Sequence, residues 1–557
     1  MATNNQKNRV SQEDLIHDRE NKITMPLAKE LQTNMSNIEY LFKNCMDVIK
    51  RRVDLGTTTP IDIYGVYIDG MVNREIIENF FLGRIIDYKN LKSEDIAMQS
   101  SMTQLIMQHF SATFDIKEVE TMDDMVRAVL SGDTAIFVDG ASKGLVIATR
   151  GWPGRGISAP ETEAVIRGPR DGFVETIRFN TVLVRRRIRD TKLKVEMMAM
   201  GTRSRTDIAI MYMEDIAKPQ LLDEVKTRLQ KYVIDGVFDS GYVEQLIEDS
   251  WRSPFPQTQA TERPDKVASS LLEGKIAIIV DNSPFAIVVP TTFNAFFQAS
   301  EDYYQRWEIM SFTRILRYIV GFLAFSLPAL YLSVTNFQPA MLPTALAVSI
   351  AASREGVALI SVMEIIVMET AFELLREAGL RLPGPVGHAI GVVGGLVIGQ
   401  AAVEAKLISP LVVIIVAITA LATFAIPDYN LTSAFRLIRY AFIIISAVFG
   451  LYGFLIGLLI LLAHMASLES FGTPFLSPYT ASGHNGYNDF RDTVIRFPLF
   501  MQNRRPRYAR DSQKTRIRLS ESDNQKDVPT GPNSAETATD VQKTPSSKGS
   551  NHQKGGR

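Results

Sequence analysis

A chain of 557 residues with 60 Lys+Arg against 61 Asp+Glu carries a formal net charge of -1, which offers no basic footprint for nucleic acid. Its one cysteine, Cys45, excludes an internal disulfide and any cysteine-built zinc site. The mean hydropathy of +0.03 averages a long polar stretch with an apolar one that follows it.

In chain order, residues 1–34 are polar and irregular and are expected to form a disordered leader, without the apolar core of a cleaved secretory signal. Regular structure is predicted from about Met35, where Ile38, Leu41, Phe42, Cys45, Met46 and Ile49 recur at helical spacing. Ile61 to Ile68 reads as a strand closed by an Asp69-Gly70 turn, and a helix from about Arg74 follows. A duplication then shows itself: LSGDTAIFVDGASKGLVIAT at Leu130 and LEGKIAIIVDNSPFAIVVPT at Leu272 agree at 8 of 20 positions with a constant offset of 142 (272 − 130). Each copy reads as a helix end followed by a β-hairpin. The spacing predicts two similar α/β subdomains, 35–150 and 151–295, joined by the turn-rich RGWPGRGISAPE. Gly154, Gly156 and Ala159 in that joint match a nucleotide-binding loop only formally, because Pro153 and Pro160 bracket them and no apolar helix follows. Asp69, Asp139 and Asp281 each end a strand, where an aspartate ordinarily bonds its own turn. No P-loop, H-E-x-x-H, G-x-S-x-G or C-x-x-C occurs, so neither an enzyme nor a cofactor is indicated.

A basic segment carrying Arg178, Arg185, Arg186 and Arg187 presents candidate partner-binding guanidiniums, the alternative being pairing within the chain. Phe296, Phe297, Tyr303, Tyr304 and Trp307 gather in residues 296–317, an aromatic segment suited to a membrane–water interface. From Tyr318 to Ala463 only 13 of 146 residues are charged, and three runs without charge (Tyr318 to Ser353, Leu407 to Pro427, Tyr440 to Ala463) are long enough to cross a bilayer. Residues 318–465 therefore read as a membrane domain, 466–510 as a juxtamembrane segment and 511–557 as a disordered tail, with a short interfacial helix expected at Asp489 to Pro498. Gly387, Gly391, Gly395 and Gly399 recur every fourth residue, a seam that lets membrane helices approach closely. Between Arg354 and Glu377, at about 100° per residue, Glu369 and Glu373 share a helical stripe while Glu364 lies opposite. In an oligomer with a central path such acids would attract cations, which makes these three the candidate ion path; ion pairing with Arg376 and Arg381 is the structural alternative. The predicted fold class is an α+β soluble region of two similar α/β subdomains followed by an all-α polytopic membrane domain.

Four stretches, APETEAVIRGPRDGFVETIRFNTVLVRRRIRD, RSRTDIAIMYMEDIA, FPQTQATERPDKVASSLLEGKIAIIVD and FFQASEDYY, together with RLPGPVGHAIGVVGGLVIGQAAV, resemble the A-subunit family of GerA-type spore germination receptors over residues 35 to 505. The resemblance implies a non-enzymatic multi-pass subunit of the spore inner membrane, working with B and C subunits. It also implies a homo-oligomer in membrane lipid that passes monovalent cations on nutrient sensing. Placing Arg314, Arg317, Arg376, Arg381, Arg436 and Arg439 inside by the positive-inside rule separately makes the soluble region cytoplasmic. A non-conducting scaffold subunit and a secondary transporter are the alternatives. Five membrane crossings are expected, with Pro343 to Leu375 counted as one and a re-entrant element leaving the side of the tail open.

Overall fold

The computed structural model describes residues 22–55, 61–81, 115–151, 159–160, 162–381, 395, 397–480 and 490–517. Chain order in the first lobe is α1 (Leu31–Leu41), β1 (Val48–Leu55), β2 (Ile61–Ile68), α2 (Arg74–Phe81), β3 (Ile116–Val119), α3 (Met122–Leu130), β4 (Thr134–Val138) and β5 (Gly144–Ile147). The second lobe has α4 (Ile177–Arg185), β6 (Leu193–Met200), β7 (Thr206–Met213), α5 (Pro219–Gln230), α6 (Ser240–Ile247), β8 (Gln259–Thr261), α7 (Pro264–Leu272), β9 (Ile276–Val280) and β10 (Ala286–Val289). The sheets are five-stranded, antiparallel throughout and of corresponding order, β1-β2-β4-β5-β3 and β6-β7-β9-β10-β8. Strands β4 (TAIFV) and β9 (IAIIV) are buried at every residue, which is why both read as unbroken apolar runs rather than as alternation.

Polar bonds repeat as faithfully as the strands. Asn34 bonds both ways with the backbone of Ala28 (2.9 and 2.6 Å), and Asn180 does the same with Val174 (2.8 and 2.5 Å). Asp139 accepts from the first helical amide of α1, Leu31 N, at 3.0 Å, and Asp281 accepts from Ile177 N of α4 at 3.0 Å. These carboxylates therefore cap helices distant in sequence, where the sequence suggested local turn bonds. Helix α1 also starts at Leu31, and Ile23 and Met25 ahead of it are buried in the first core.

The lobes join edge to edge. Cys45 and Val195 form a parallel bridge, with Met46 N donating to Val195 O at 3.0 Å and Val195 N to Asn44 O at 3.1 Å. Beside it the fully buried Arg185 forks onto Asp47 (2.5 and 2.9 Å).

A helical region follows: α8 (Trp307–Phe337), α9 (Thr344–Ser353), α10 (Ser361–Arg381), a helical stretch at 397–404, α11 (Pro410–Phe424) and α12 (Tyr429–Ser467). Helices α8 and α12, with 31 and 39 residues, are apolar and long enough to cross a membrane. Pro343 to Leu375 is not one rod, since Arg354 to Ile360 separates α9 from α10. Nor is α12 one rod. Gly450 has φ 57° and ψ -143°, and beyond it the chain turns back: Phe454 stacks edge-on to Phe442 at 5.5 Å, and a Cβ on Gly457 would lie 3.4 Å from the Phe442 ring. Residues 442 and 457 of a straight helix would be more than 20 Å apart at ~1.5 Å per residue, so α12 is a tight helical hairpin. Glycine is required at the tip both by its φ and by Phe337, whose Cγ would stand 2.7 Å from any Cβ there.

Both feet of this hairpin rest on the second lobe. Phe255 packs against Phe435 and His464, one from each limb, and Ser253 Oγ is 3.0 Å from His464 Nε2. Just after the hairpin, Ser470 Oγ donates to Gln257 O (2.7 Å) and Phe471 N to Asp249 (2.9 Å). Residues 505–510 return to the same lobe: Arg510 N bonds Ile216 O (2.8 Å), Arg505 Nε bonds Leu272 O (2.7 Å), and Ala509 is buried against Gly274. The helix expected at Asp489 to Pro498 is absent from the described part of that stretch, where an Asp492–Arg496 bridge closes a turn instead. The carbonyl of Asp492 accepts from Gln298 Nε2 at 2.5 Å.

Candidate functional site

The three acids of α10 lie inside the helical region, each against a guanidinium. Near the start of α10, Glu364 is fully buried; its Oε2 accepts from Ser409 N at 2.7 Å, at the N-cap of α11, and its Oε1 faces Arg354 at 3.4 Å. Glu369, 4% exposed, pairs with Arg439 of the first limb of α12 at 2.5 Å, and Arg439 also donates to Ala324 O of α8 at 2.7 Å. Glu373 holds both Arg436 (2.7 Å) and Arg376 (2.5 Å) and is 41% exposed. Together they make a ladder of carboxylate–guanidinium pairs tying α10 to α12 and, through Arg439, to α8. Removing one member of such a buried pair typically costs about 3 to 5 kcal/mol, because the other charge stays behind uncompensated. Arg376 as a partner is legible from its i, i+3 spacing; Arg436 and Arg439 are not, since a helical stripe says which way a side chain faces but not which helix stands opposite.

The glycine seam is partly visible. Gly399 is buried with Val413 at 3.4 Å from a Cβ placed on it, and Gly395 has Phe372 of α10 at 3.7 Å. Gly387 and Gly391 lie outside the described residues, as do the joint at 152–158 and the tail from 518.

At the foot of α8, Arg314 and Asp302 are both fully buried; Arg314 bonds Asp302 (3.0 Å) and Asp492 (2.7 Å), and Arg317 shares Asp302 at 2.8 Å. Burial, helped by the adjoining Asp492 carboxylate at 2.5 Å, raises the Tyr303 hydroxyl pKa well above its usual value. Phe296 and Phe297, expected at a lipid interface, are 1% exposed and pack with Phe475 and Tyr318.

Of the basic segment, Arg185 is spent on Asp47 and Arg187 on Asp171 (2.6 Å), Arg186 is half-buried and also engaged, and Arg178 reaches Asp69 (3.1 Å) while half exposed. Asp69 thus holds a lobe-to-lobe ion pair. Among the described residues no group of three or more His, Cys, Asp or Glu is placed to hold a metal.

A duplicated α+β platform carries an apolar helical hairpin by both feet, and two helices of this region are apolar and long enough to cross a membrane. Residues 36–508 match the family model described as Bacillus/Clostridium GerA spore germination protein. The chain is 40% identical over 490 residues to spore germination protein KA of Bacillus subtilis, covering 88% of each chain. It is 39% identical over 490 residues to spore germination protein GerLA of Bacillus cereus, covering 86% of this chain and 99% of that one. The crystal structure of the N-terminal domain of the A subunit of the Bacillus megaterium spore germinant receptor GerK3 aligns at 31% identity, over 48% of this chain and 98% of that one, with a TM-score of 0.39. The chain belongs to the GerA spore germination family, a family of germination proteins and not of enzymes, and its role is in spore germination.

Proposed function

We propose that this chain is the A-type subunit of a nutrient germinant receptor, a multi-pass protein of the spore inner membrane. In this reading its lobes are cytoplasmic, it assembles with B and C subunits and with copies of itself, and it passes monovalent cations when a germinant is sensed. The observation that carries the reading is the ladder of Glu364, Glu369 and Glu373 with their arginines inside an otherwise apolar helical region, since ionisable groups at membrane depth mark ion routes. With every carboxylate neutralised the ladder describes a closed state; exchange of partners frees carboxylates that attract cations and repel anions.

Topology supports the same reading. The hairpin returns α12 to the lobe it left, and residues 505–510 are fastened to that lobe, so this reading takes an even number of crossings in place of the five of the sequence count. Arg314 and Arg317, held by Asp302 at the foot of α8, then lie on the lobe side, as the positive-inside rule wants for a cytoplasmic platform. The glycine seam serves helix packing at Gly387, Gly391, Gly395 and Gly399, and Arg178 is the arginine of its segment best placed to meet another subunit.

A scaffold role is favoured by one observation, that each acid already has a partner. Ion flux through vesicles reconstituted with the receptor separates the two. Glu369→Gln alone strands Arg439 and lowers assembly, whereas Glu369→Gln with Arg439→Gln restores assembly. If the carboxylate conducts, the assembled double variant, which loses that carboxylate together with its guanidinium, passes monovalent cations about tenfold more slowly than wild type. Wild-type flux in that double variant assigns the ladder to structure alone.

A further inference from the structure

Between the second lobe, residues 292–304 ahead of α8 and residues 491–516 lies a cavity of about 100 Å³, continuous in its lining with a neighbour of about 190 Å³. Room of that size takes several waters or one small polyatomic anion, given that a single water needs only ~10 to 15 Å³ of such space. Lys275 lines both chambers. It sits on the turn between α7 and β9, is 6% exposed, and has no hydrogen-bond acceptor for its ammonium among the described residues. Its nearest carboxylate, Glu273, is 3.8 Å away and accepts from the Tyr508 hydroxyl at 3.2 Å, while the Tyr508 ring lies 5.4 Å from Nζ.

Four guanidiniums share the first chamber: Arg491, Arg504, Arg507 and Arg516. Nη1 of Arg507 is buried without a hydrogen-bond partner. Among the described residues Arg504 and Arg516 have no carboxylate partner, and the Arg491 guanidinium is held by a carbonyl alone, that of Met501, at 2.7 Å. The opposing acids are Glu273 and Asp492, and Asp492 is already saturated by Arg314 and Tyr303. In the first chamber five cations therefore face two carboxylates, and the second adds Lys266 and Asp265. Burial pulls the Lys275 pKa down and outweighs the opposing pull of Glu273, with Lys266 adding to the lowering, so the ammonium is charged at a cost that an anion would relieve. In the first lobe the equivalent turn position, 142 residues earlier, is Asp133, which pairs outward with Arg150 at 2.7 Å. The change from acid to buried base accompanies the arrival of the C-terminal segment.

We propose that this cavity is an anion site, built by Lys275 and Arg507 for a phosphate monoester group, and that its occupation fastens residues 491–516 between the second lobe and α8. A tetrahedral dianion offers enough acceptors for the ammonium and two guanidiniums at once, and charge-assisted bonds of that kind are the strong ones. Such a group reaches the cavity either as a free phosphate or as the headgroup of an anionic lipid.

The test uses the full chain in detergent and in nanodiscs. Thermal unfolding is followed with inorganic phosphate against chloride at matched ionic strength, and in phosphatidylcholine discs with and without a minority of phosphatidic acid. Phosphate or phosphatidic acid should raise the unfolding temperature, and whichever of the two acts names the source. Lys275→Gln and Arg507→Gln should each weaken that response about tenfold or more, as expected for losing one charge-assisted bond, while Arg507→Lys keeps most of it. Lys275→Gln removes a buried charge and leaves the unliganded fold intact, so its loss of response reads as lost binding; the anion-free unfolding temperature of each variant checks this. No stabilisation by either source beyond chloride, or an undiminished response in Lys275→Gln, overturns the site.

Discussion

The two lobes share a sheet order, a helix cap and an asparagine clasp, yet they are used differently. The first meets its neighbour through Cys45, Asp47 and Asp69 at one edge, whereas the second also bears both feet of the α12 hairpin, the segment 505–510 and the buried Lys275. Duplication supplied two frames of one design. What distinguishes them lies in the positions where the copies diverge, such as Asp133 against Lys275, rather than in the strands they keep.

The largest expected effect comes from cutting the lobes apart. Arg185→Ala leaves Asp47 facing a buried gap and should destabilise the soluble region by about 3 to 5 kcal/mol, read as an earlier chemical unfolding midpoint. Adding Asp47→Ala should recover part of the loss, because no charge is then stranded. If the single variant unfolds at the wild-type midpoint, the lobes are not held by this pair.

A second measurement sharpens the likeness of the copies. Asp139→Ala and Asp281→Ala each remove the acceptor for a first helical amide, α1 in one lobe and α4 in the other. Each should cost about 1 kcal/mol, the usual value of a capping bond. Equal losses are expected in urea unfolding of the two variants. A loss confined to one lobe would mean that the shared geometry does not carry a shared energy.

Much of this was legible from residues alone, and the limits have physical causes. The offset of 142 is visible because α3, β4 and β5 and their copies are short, buried and separated by turns of equal length in the two lobes. Asp139 and Asp281 stood out at strand ends, but their true partners lie about a hundred residues upstream, where no local rule looks. In α12 the run from Tyr440 to Ala463 has no charge to mark a boundary, and Gly450 stands among Gly453 and Gly457, which packing alone explains. A reversal that hangs on one positive φ has no periodic trace. The acids of α10 were identifiable as a set, but their pairing with Arg436 and Arg439 depends on which helices become neighbours.

The smallest effect tests whether the second lobe's extra duties leave an electrostatic mark. Glu248 ends α6, close to where Phe471 joins the lobe through Asp249, and burial, reinforced by the neighbouring Glu244 carboxylate, pushes its pKa up to about 7; the bond from the Gln257 amide opposes this only in part. The folded state therefore holds a proton on Glu248 over the interval in which the unfolded chain, with an ordinary glutamate at ~4.3, has released it. With more protons bound when folded, stability is highest below the unfolded value and falls as pH rises through about 7. Glu248→Gln keeps the shape, removes the titration and should raise the unfolding temperature at about pH 8 by a degree or two, with no change at about pH 4. The partial exposure of the side chain keeps the effect small. Parallel pH profiles for the two proteins, with no convergence toward acid, would mean that Glu248 titrates like a surface carboxylate and that the hairpin's exit is not set against a strained charge.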